Sequence, residues 1–261
     1  MKEKRRLLFF TALAVLLLLT AAFAAYLCPY DPYKQDLLLA KQPPGPEHWI
    51  GTDRFGRDIF SRVLAGSTVS IYSTLFLVTV VTVTGTVAGV LCGWFGGALD
   101  AVLMRIADLF LAFPSLVFAL AVAGWPKFAR LARSLTLSQK EAPYLMAAKL
   151  SGSSTIKILV RHVIPNIGGQ ILVTAVLDIA TTMMELAGLS FLGLGVQPPA
   201  AEWGSMINEG RSLLQISPWM SLAPGAAIFV TVLIFNLLGD ALRDYMDPKQ
   251  RKQKRKKGKD E

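Results

Sequence analysis

The sequence predicts an all-α integral membrane protein, a polytopic bundle of membrane-crossing helices. Of its 261 residues, 53% are hydrophobic and 17% are charged, whereas a typical soluble domain has about 25% charged residues. The hydrophobic residues gather into runs of roughly 20, the length that one helix needs to cross a bilayer. Because these runs are continuous and do not alternate in polarity, a transmembrane β-barrel is excluded. Two cysteines are too few to make the chain a disulfide scaffold.

Five apolar runs are candidate membrane segments. They are residues 7–27, about 69–92, 109–126, about 165–187 and about 219–239. The first run follows a short basic stretch, as the apolar core of a signal peptide does, but such a core has only about 7–15 residues. An uncleaved anchor helix is therefore the favoured interpretation, and a cleaved signal peptide is the alternative.

Basic residues predict which loops face the cytoplasm. Lysine and arginine are concentrated in residues 1–6, 127–162 and 249–261, and basic flanks of membrane helices stay on the cytoplasmic side. Both termini are therefore expected in the cytoplasm, and residues 28–62 and 189–218 are expected to be external loops. This distribution accounts for the net charge of +9 without a nucleic-acid partner.

The run at residues 109–126 conflicts with this topology. Cytoplasmic termini require an even number of crossings, and five runs give an odd number. The segment that follows the run contains seven basic residues and one acidic residue, Glu141, between positions 127 and 161, so its translocation to the outside is disfavoured. We therefore expect residues 109–126 to enter and leave the membrane on one side, either as a re-entrant segment around Pro114 and Gly124 or as a shortened hairpin.

Motifs typical of enzymes are missing from the sequence. There is no phosphate-binding loop and no His-Glu-x-x-His metal motif. The two histidines, His48 and His162, lie in loops predicted on opposite sides of the membrane, so no metal site is assigned. Asp53 and Asp58 alternate with arginines, a pattern that favours an ion-pair network over acid–base catalysis. An enzyme that acts alone is therefore not favoured.

The predicted cytoplasmic segment carries two short amphipathic pieces. The first is a helix over residues 144–151 that Gly152 ends, and the second covers residues 156–163. Pro165 is expected to start the next membrane helix near its first turn. A short helix between two membrane spans has little reason to be apolar unless a partner covers it, so we expect it to dock in a groove of another subunit.

The residues of this segment resemble the coupling motif of ABC importer permeases, the membrane subunits that dock onto a separate ATPase. The matching positions are Ala147, Ala148, Gly152, Ile164 and Pro165. The glutamate that usually precedes the two alanines is Met146 here, a departure that keeps the apolar docking surface but not the charged contact.

The resemblance covers roughly residues 26–248 and narrows the family to its dipeptide, oligopeptide and nickel branch. An external signature of that branch is matched at Gly51, Thr52, Asp53, Gly56, Arg57 and Asp58. Further matching stretches follow in the same order, at residues 190–196, 202–208 and 236–248. Within the branch, residues 177–188 and 201–208 are most similar to nickel-import permeases.

The resemblance implies that the whole chain, residues 1–261, is one transmembrane permease domain in the cytoplasmic (inner) membrane. It implies three kinds of partner: a second homologous permease, two ATP-binding subunits and an external substrate-binding protein. It also implies that this chain binds no cofactor, because ATP and magnesium are held by the ATP-binding subunits. The expected cargo is nickel or a nickel chelate. A di- or oligopeptide cargo is one alternative, and a transport-inactive docking subunit is an alternative of another class.

Two acidic residues in the fourth apolar run are candidates for the translocation pathway. Asp178 and Glu185 lie seven residues apart, two helical turns, and therefore on one helix face. Because an ionised carboxylate is costly in lipid, it normally faces a cavity or a partner, and an inward-facing pair would favour a cationic cargo. Met183 and Met184 are candidate soft metal contacts. The alternatives are structural carboxylates and methionines that fill the core.

The family places two helices between stretches that correspond to Asp108 and Trp125, but this chain has only 16 residues there. The resemblance therefore implies that about one helix is missing or shortened around residues 109–126. This agrees with the parity conflict that the charge distribution produces. The chain would then be either a natural variant with a re-entrant segment or a copy with impaired transport.

Overall fold

The computed structural model describes residues 2–112 and 124–246, and the elements in these ranges are helices. Predicted features at residues 113–123, including Pro114, and the basic tail at 249–261 lie outside the described residues. The helices are α1 (Lys2–Ala22), α2 (Ala24–Leu27), α3 (Ile59–Phe95), α4 (Gly97–Ala112), α5 (Trp125–Gln139), α6 (Pro143–Leu150), α7 (Thr155–Ile158), α8 (Ile164–Phe191), α9 (Trp203–Gly210) and α10 (Trp219–Met246).

Four helical stretches in the described ranges are long and apolar enough to cross a membrane. They are Glu3–Ala22, Ile59–Phe95, Thr155–Phe191 and Trp219–Met246. Four of the five predicted runs are therefore confirmed as long apolar helices. The fifth, residues 109–126, lies largely outside the described residues.

The chain forms two compact units. The first comprises residues 1–76 and 177–241, and the second comprises residues 77–176 and 242–261. The core of the first unit is apolar and centres on Trp203, at the start of α9, which packs with Ile71 of α3 and Met183 of α8. The Trp203 indole N–H donates a hydrogen bond to the Val63 carbonyl at 2.9 Å, so this large buried side chain leaves no polar atom unpaired.

In the second unit, α5 lies along α3 on a row of glycines. A Cβ atom on Gly85 would lie 2.7 Å from the Phe128 Cβ, and one on Gly93 would lie 2.8 Å from the Thr136 Cβ. Residue numbers therefore increase in the same direction along both contacting helices, which means that α3 and α5 run parallel. Such close backbone approach is possible only where the contacting residues are small.

Helix α4 runs in the opposite direction and pairs with α5 as an antiparallel hairpin, which we call the α4–α5 hairpin. Arg133 Nη2 lies 2.6 Å from Asp100 Oδ2, and Arg130 pairs with Asp108. The order of the pairs is reversed along the two helices, so the chain turns back between Asp108 and Arg130. The Arg133 hydrogen bonds hold the pKa of the Asp100 carboxyl below its usual range.

The predicted short helix at residues 144–151 is confirmed to within one residue, as α6. Helix α8 begins at Ile164, so Pro165 lies in its first turn as predicted. The helical backbone also extends further back, because α7 begins at Thr155 and a π-helical turn, Leu159–Val163, joins it to α8. The Ile164 N–H bonds to the Leu159 carbonyl, five residues back. Pro165 cannot donate a backbone hydrogen bond, and its ring would clash with the carbonyl four residues earlier in a regular helix. The wider π turn just before Pro165 lets the helix continue.

Candidate functional site

The predicted coupling segment, residues 141–163, carries apolar side chains that are exposed within the described part of the chain. Within α6, Leu145 is completely buried, whereas Met146 and Leu150 are exposed, Leu150 to 90%. Ile156 and Val160 continue the exposed apolar surface to the π turn. One side of α6 therefore anchors it to its own chain, and the exposed side chains are available to a partner.

Gly152 ends α6 with hydrogen bonds that require a left-handed backbone. Its φ is +76°, its N–H donates to the Lys149 carbonyl at 3.0 Å, and the next N–H, of Ser153, donates to the Ala148 carbonyl at 3.1 Å. This pattern is a Schellman motif, in which glycine is preferred because it has no Cβ. A Cβ on Gly152 would meet nothing within 4 Å, so the chain needs glycine here for its backbone conformation.

The other predicted coupling residues are also accessible. Ala147, Ile164 and Pro165 are exposed, and Ala148 is half-buried. Their positions are compatible with a docking role, which stays a prediction.

Three side-chain contacts that hold α6 in place were not predicted from the sequence. The Tyr144 hydroxyl donates to Gln139 Oε1 at 2.8 Å and accepts from Asn166 Nδ2 at 3.2 Å. The Lys149 ammonium lies 4.8 Å from the ring centroid of Trp94. The sequence does carry one signal for the last contact. Trp94 lies near the end of an apolar run, and the predicted short helix carries a lysine, Lys149, that could lie over its ring.

The four candidate pathway residues on α8 divide into two buried and two exposed side chains. Asp178 and Met183 are 7% and 2% exposed, whereas Met184 and Glu185 are exposed. Helix α10 packs on α8 at the level of Asp178, since a Cβ on Gly239 would lie 2.7 Å from the Leu177 Cγ. Met183 belongs to the apolar core of the first unit, which favours the core-filling alternative for this residue. The roles of Asp178 and Glu185 in transport stay predictions.

Met183 also borders a cavity of about 120 Å³ in the first unit. Ser70, Ser190 and Glu202 also line this cavity. Both Glu202 oxygens accept backbone hydrogen bonds at the start of α9, from Gly204 and Ser205 N–H groups at 2.8 Å. The Glu202 carboxylate therefore caps the N-terminus of α9, and both of its oxygens already accept hydrogen bonds.

No cluster of three His, Cys, Asp or Glu side chains that could hold a metal ion occurs in residues 2–112 and 124–246. Burial raises the pKa of the Cys28 thiol, which keeps the thiol protonated and disfavours it as a metal ligand.

The predicted ion-pair network near the external signature is present and fully buried. Arg57 Nε lies 2.6 Å from Asp53 Oδ2, and Arg57 Nη2 lies 2.9 Å from Glu209 Oε2. Arg62 approaches the same two carboxylates at 3.6 and 3.8 Å. Glu209 was missed from the sequence, because it lies 152 positions after Arg57.

The remaining signature residues fold the loop that carries this network. The Asp58 carboxylate contacts His48 Nδ1 at 2.9 Å, and the Thr52 hydroxyl bonds to the Leu39 carbonyl. Gly51 and Gly56 have φ values of +80° and +75°. A Cβ on Gly56 would overlap the Asp36 carbonyl. These residues therefore have structural roles within the loop, and they also attach it to α9 through Glu209.

Comparison with known proteins gives one family. Residues 117–252, just over half of the chain, match the family described as "Binding-protein-dependent transport system inner membrane component". The nickel transport system permease protein NikC of Escherichia coli (strain K12) is 40% identical over 250 residues, which cover 89% of this chain and 90% of the relative. The glutathione transport system permease protein GsiD of Pectobacterium atrosepticum is 43% identical over 256 residues, which cover 91% of this chain and 85% of the relative.

Within the aligned region this chain is shorter than its relatives. The alignment of 250 positions with NikC uses 89% of 261 residues, or about 232. About 18 aligned positions, close to the length of one membrane helix, therefore have no counterpart here. The alignment with GsiD, 256 positions on 91% of this chain, gives a similar difference.

The long apolar helices, the exposed coupling segment and these similarities agree with one another. The resemblance to ABC importer permeases of the nickel and peptide branch is thereby confirmed. The chain belongs to the inner membrane components of binding-protein-dependent transport systems, the permease subunits of ABC importers.

Proposed function

We propose that this permease moves nickel, or a nickel chelate, through the inner membrane, driven by ATP that separate subunits hydrolyse. The observation that carries the nickel assignment is the buried carboxylate of Asp178 on the apolar helix α8. A carboxylate is costly to bury in a membrane protein unless it serves a partner or a pathway, and its charge would attract a cationic cargo. A peptide-type cargo is the second candidate, because relatives named for nickel and for glutathione have similar identities.

The coupling segment would transmit the work of the ATPases. We propose that one of two ATP-binding subunits holds the exposed side chains of α6 in a groove, with a second permease beside this one and a substrate-binding protein outside. When the ATPases close on ATP, α6 would move with them. The backbone is helical from Thr155 through the π turn to Phe191, so the movement would reach the level of Asp178 along one continuous helix.

We also propose four full crossings with both termini in the cytoplasm, and an α4–α5 hairpin that enters the membrane without crossing it. Arg130 pairs with Asp108, 22 positions earlier. Helices α4 and α5 are antiparallel, so α5 runs back toward the side from which α4 starts, as an element that enters and leaves the membrane on one side requires. The alignments leave about 18 positions of each relative without a counterpart in this chain, a shortening similar in size to one membrane helix.

The topology predicts which engineered cysteines are protected. Cysteines at Ser138 and Ser153, in a variant without Cys28 and Cys92, should not react with an impermeant thiol reagent added outside intact cells, because both positions lie within the basic segment that is predicted to be cytoplasmic. The same cysteines should react after the cells are permeabilised, which is the control for their accessibility. Labelling of both from outside intact cells would contradict the topology and the proposed side of ATPase docking.

The nickel pathway predicts an effect of charge at Asp178. In proteoliposomes containing the full transporter, Asp178→Asn should reduce uptake of radioactive Ni²⁺ by about tenfold, because a negative charge attracts a cation strongly at low dielectric. Asp178→Glu keeps this charge and should therefore retain most of the uptake. Co-purification of the partner subunits measures assembly. If assembly and uptake fall together, Asp178 is structural and the pathway hypothesis is wrong.

The same proteoliposomes separate the functional alternatives. If the unmodified transporter imports glutathione or a dipeptide but not Ni²⁺, the nickel assignment is wrong and the peptide assignment replaces it. If it imports none of them although all subunits assemble, the chain is a docking subunit without transport activity.

A further inference from the structure

The contacts around α6 suggest how it is held while a partner moves it. We infer that Tyr144, Lys149 and Trp94 are positioning residues that fix both ends of α6 to the membrane helices, so that α6 moves them instead of pivoting on its own. This inference rests on the proposed coupling role of the segment. It concerns the connection within this chain, not the contact with the ATPase.

The first connection is a hydrogen-bond bridge at the start of α6. The Tyr144 hydroxyl donates to Gln139, the last residue of α5, and accepts from Asn166 in the first turn of α8. The Asn166 amide also donates to the His162 carbonyl in the π turn at 2.8 Å. One hydroxyl therefore links α5, α6 and α8, and the π turn is tied to the same chain of hydrogen bonds.

The second connection lies at the other end of α6 and joins it to α3. The Lys149 ammonium lies 4.8 Å from the centre of the Trp94 ring, within the distance at which a cation is attracted to an indole face. Trp94 is 8% exposed and is the second-last residue of α3. Its ring is therefore fixed by its surroundings, whereas Lys149 belongs to the exposed side of α6.

Both connections are needed because α6 has little other attachment. It has eight residues, and Leu145 is the one that is fully buried. A helix fixed at a single buried side chain could rotate about that point when a partner presses on Met146 and Leu150. Tyr144 at the second position and Lys149 at the seventh restrain such rotation from both ends. They do so without occupying the exposed apolar surface that a partner would contact.

The connections can be removed one atom group at a time. Tyr144→Phe removes a hydroxyl, and Lys149→Met removes the ammonium but keeps an unbranched side chain. Lys149→Arg retains a cation that can lie over Trp94. Tyr72→Phe is the matched control, since its hydroxyl donates to the Leu18 carbonyl at 3.2 Å within the other unit.

The test uses the complete transporter in nanodiscs with its substrate-binding protein and Ni²⁺, and it compares basal ATP hydrolysis with hydrolysis stimulated by the binding protein. We expect the Tyr144→Phe/Lys149→Met double variant to lose stimulation by about fivefold or more, the low end of typical coupling between sites. Basal hydrolysis and subunit co-purification should stay unchanged, as should stimulation in Tyr72→Phe. A second double variant, Tyr144→Phe/Lys149→Arg, keeps a cation near Trp94 and should therefore retain part of the stimulation.

Each outcome decides the inference. Normal stimulation in the Tyr144→Phe/Lys149→Met variant would overturn it. Equal losses of stimulation in the two double variants would also overturn it, because the cation at position 149 would then be irrelevant. A loss of co-purification in parallel with stimulation would show that the residues stabilise the complex, not its coupling. If the unmodified transporter shows no stimulation with Ni²⁺ but does with glutathione, the nickel proposal fails and the variants are compared with glutathione. Absence of stimulation with either substrate would overturn the coupling role and this inference together.

Discussion

Replacing Gly152 with tryptophan is expected to abolish uptake while ATP hydrolysis continues and the protein remains inserted in the membrane. The φ of +76° at this residue costs an ordinary L-residue roughly 1–2 kcal/mol, so any side chain weakens the turn that ends α6. A tryptophan adds a second effect. It would protrude where the chain itself leaves open space within 4 Å of the Cβ, and this is where we propose that the ATPase approaches.

Two further substitutions separate the backbone effect from the steric effect. Gly152→Ala introduces the same backbone strain without bulk, and Gly152→Asn introduces a side chain that tolerates the left-handed conformation. Uptake should therefore decrease in the order Asn, Ala, Trp, measured together with ATP hydrolysis and membrane insertion. Equal losses with alanine and tryptophan would mean that no partner approaches this position. Normal uptake with tryptophan would contradict the coupling assignment itself.

Arg57→Met should destabilise the protein strongly. Arg57 is 1% exposed and pairs with both Asp53 and Glu209, and removal of one member of a buried ion pair typically costs about 3–5 kcal/mol because the remaining charge stays buried. Arg62 lies farther from both carboxylates, at 3.6 and 3.8 Å, so it cannot replace the lost hydrogen bonds. We expect a clear decrease in the thermal unfolding temperature of the purified protein in detergent.

The neighbouring Arg54 provides a matched control for this variant. Arg54 is exposed, with its guanidinium 4.6 Å from the centre of the Phe55 ring, so Arg54→Met should change stability by about 1 kcal/mol or less. Both variants remove one positive charge from the same loop. Equal unfolding temperatures for the two variants would therefore show that the buried network contributes little to stability.

Hydropathy and charge predict the long helices of this protein well. Four apolar runs became long helices because a continuous run of about 20 apolar residues has few stable alternatives in a membrane. The end of α6 was also predicted, since Gly152 is a local signal for a left-handed residue. The charge count at residues 127–161 predicts that the preceding run does not cross the membrane once, and this stays a prediction, because the ion pairs show only that α4 and α5 are antiparallel.

The errors and omissions arise where distant residues or unusual helical turns decide the structure. The helical connection between the short piece at residues 156–163 and the fourth long helix was not predicted, because it depends on a π turn, for which the sequence carries no local signal. Glu209 joins Arg57 across 152 positions, which no periodicity reveals. The spacing of Asp178 and Glu185 is correct for one helix face, but their different burial depends on what packs at each level of α8, as α10 does near Leu177.

The π turn at Leu159–Val163 also affects the direction in which the preceding residues leave the axis of α8. A π turn holds about one residue more than the α-helical turn it replaces, and each residue of an α-helix advances the chain by about 100° and 1.5 Å. The direction in which α6 and α7 point from the long helix therefore depends on one extra residue. Loss or gain of a single codon in this turn would swing the docking surface around the helix axis while every side chain on it stayed the same. The orientation in which the permease presents α6 to its ATPase therefore depends on the number of residues in the π turn as well as on the side chains of α6.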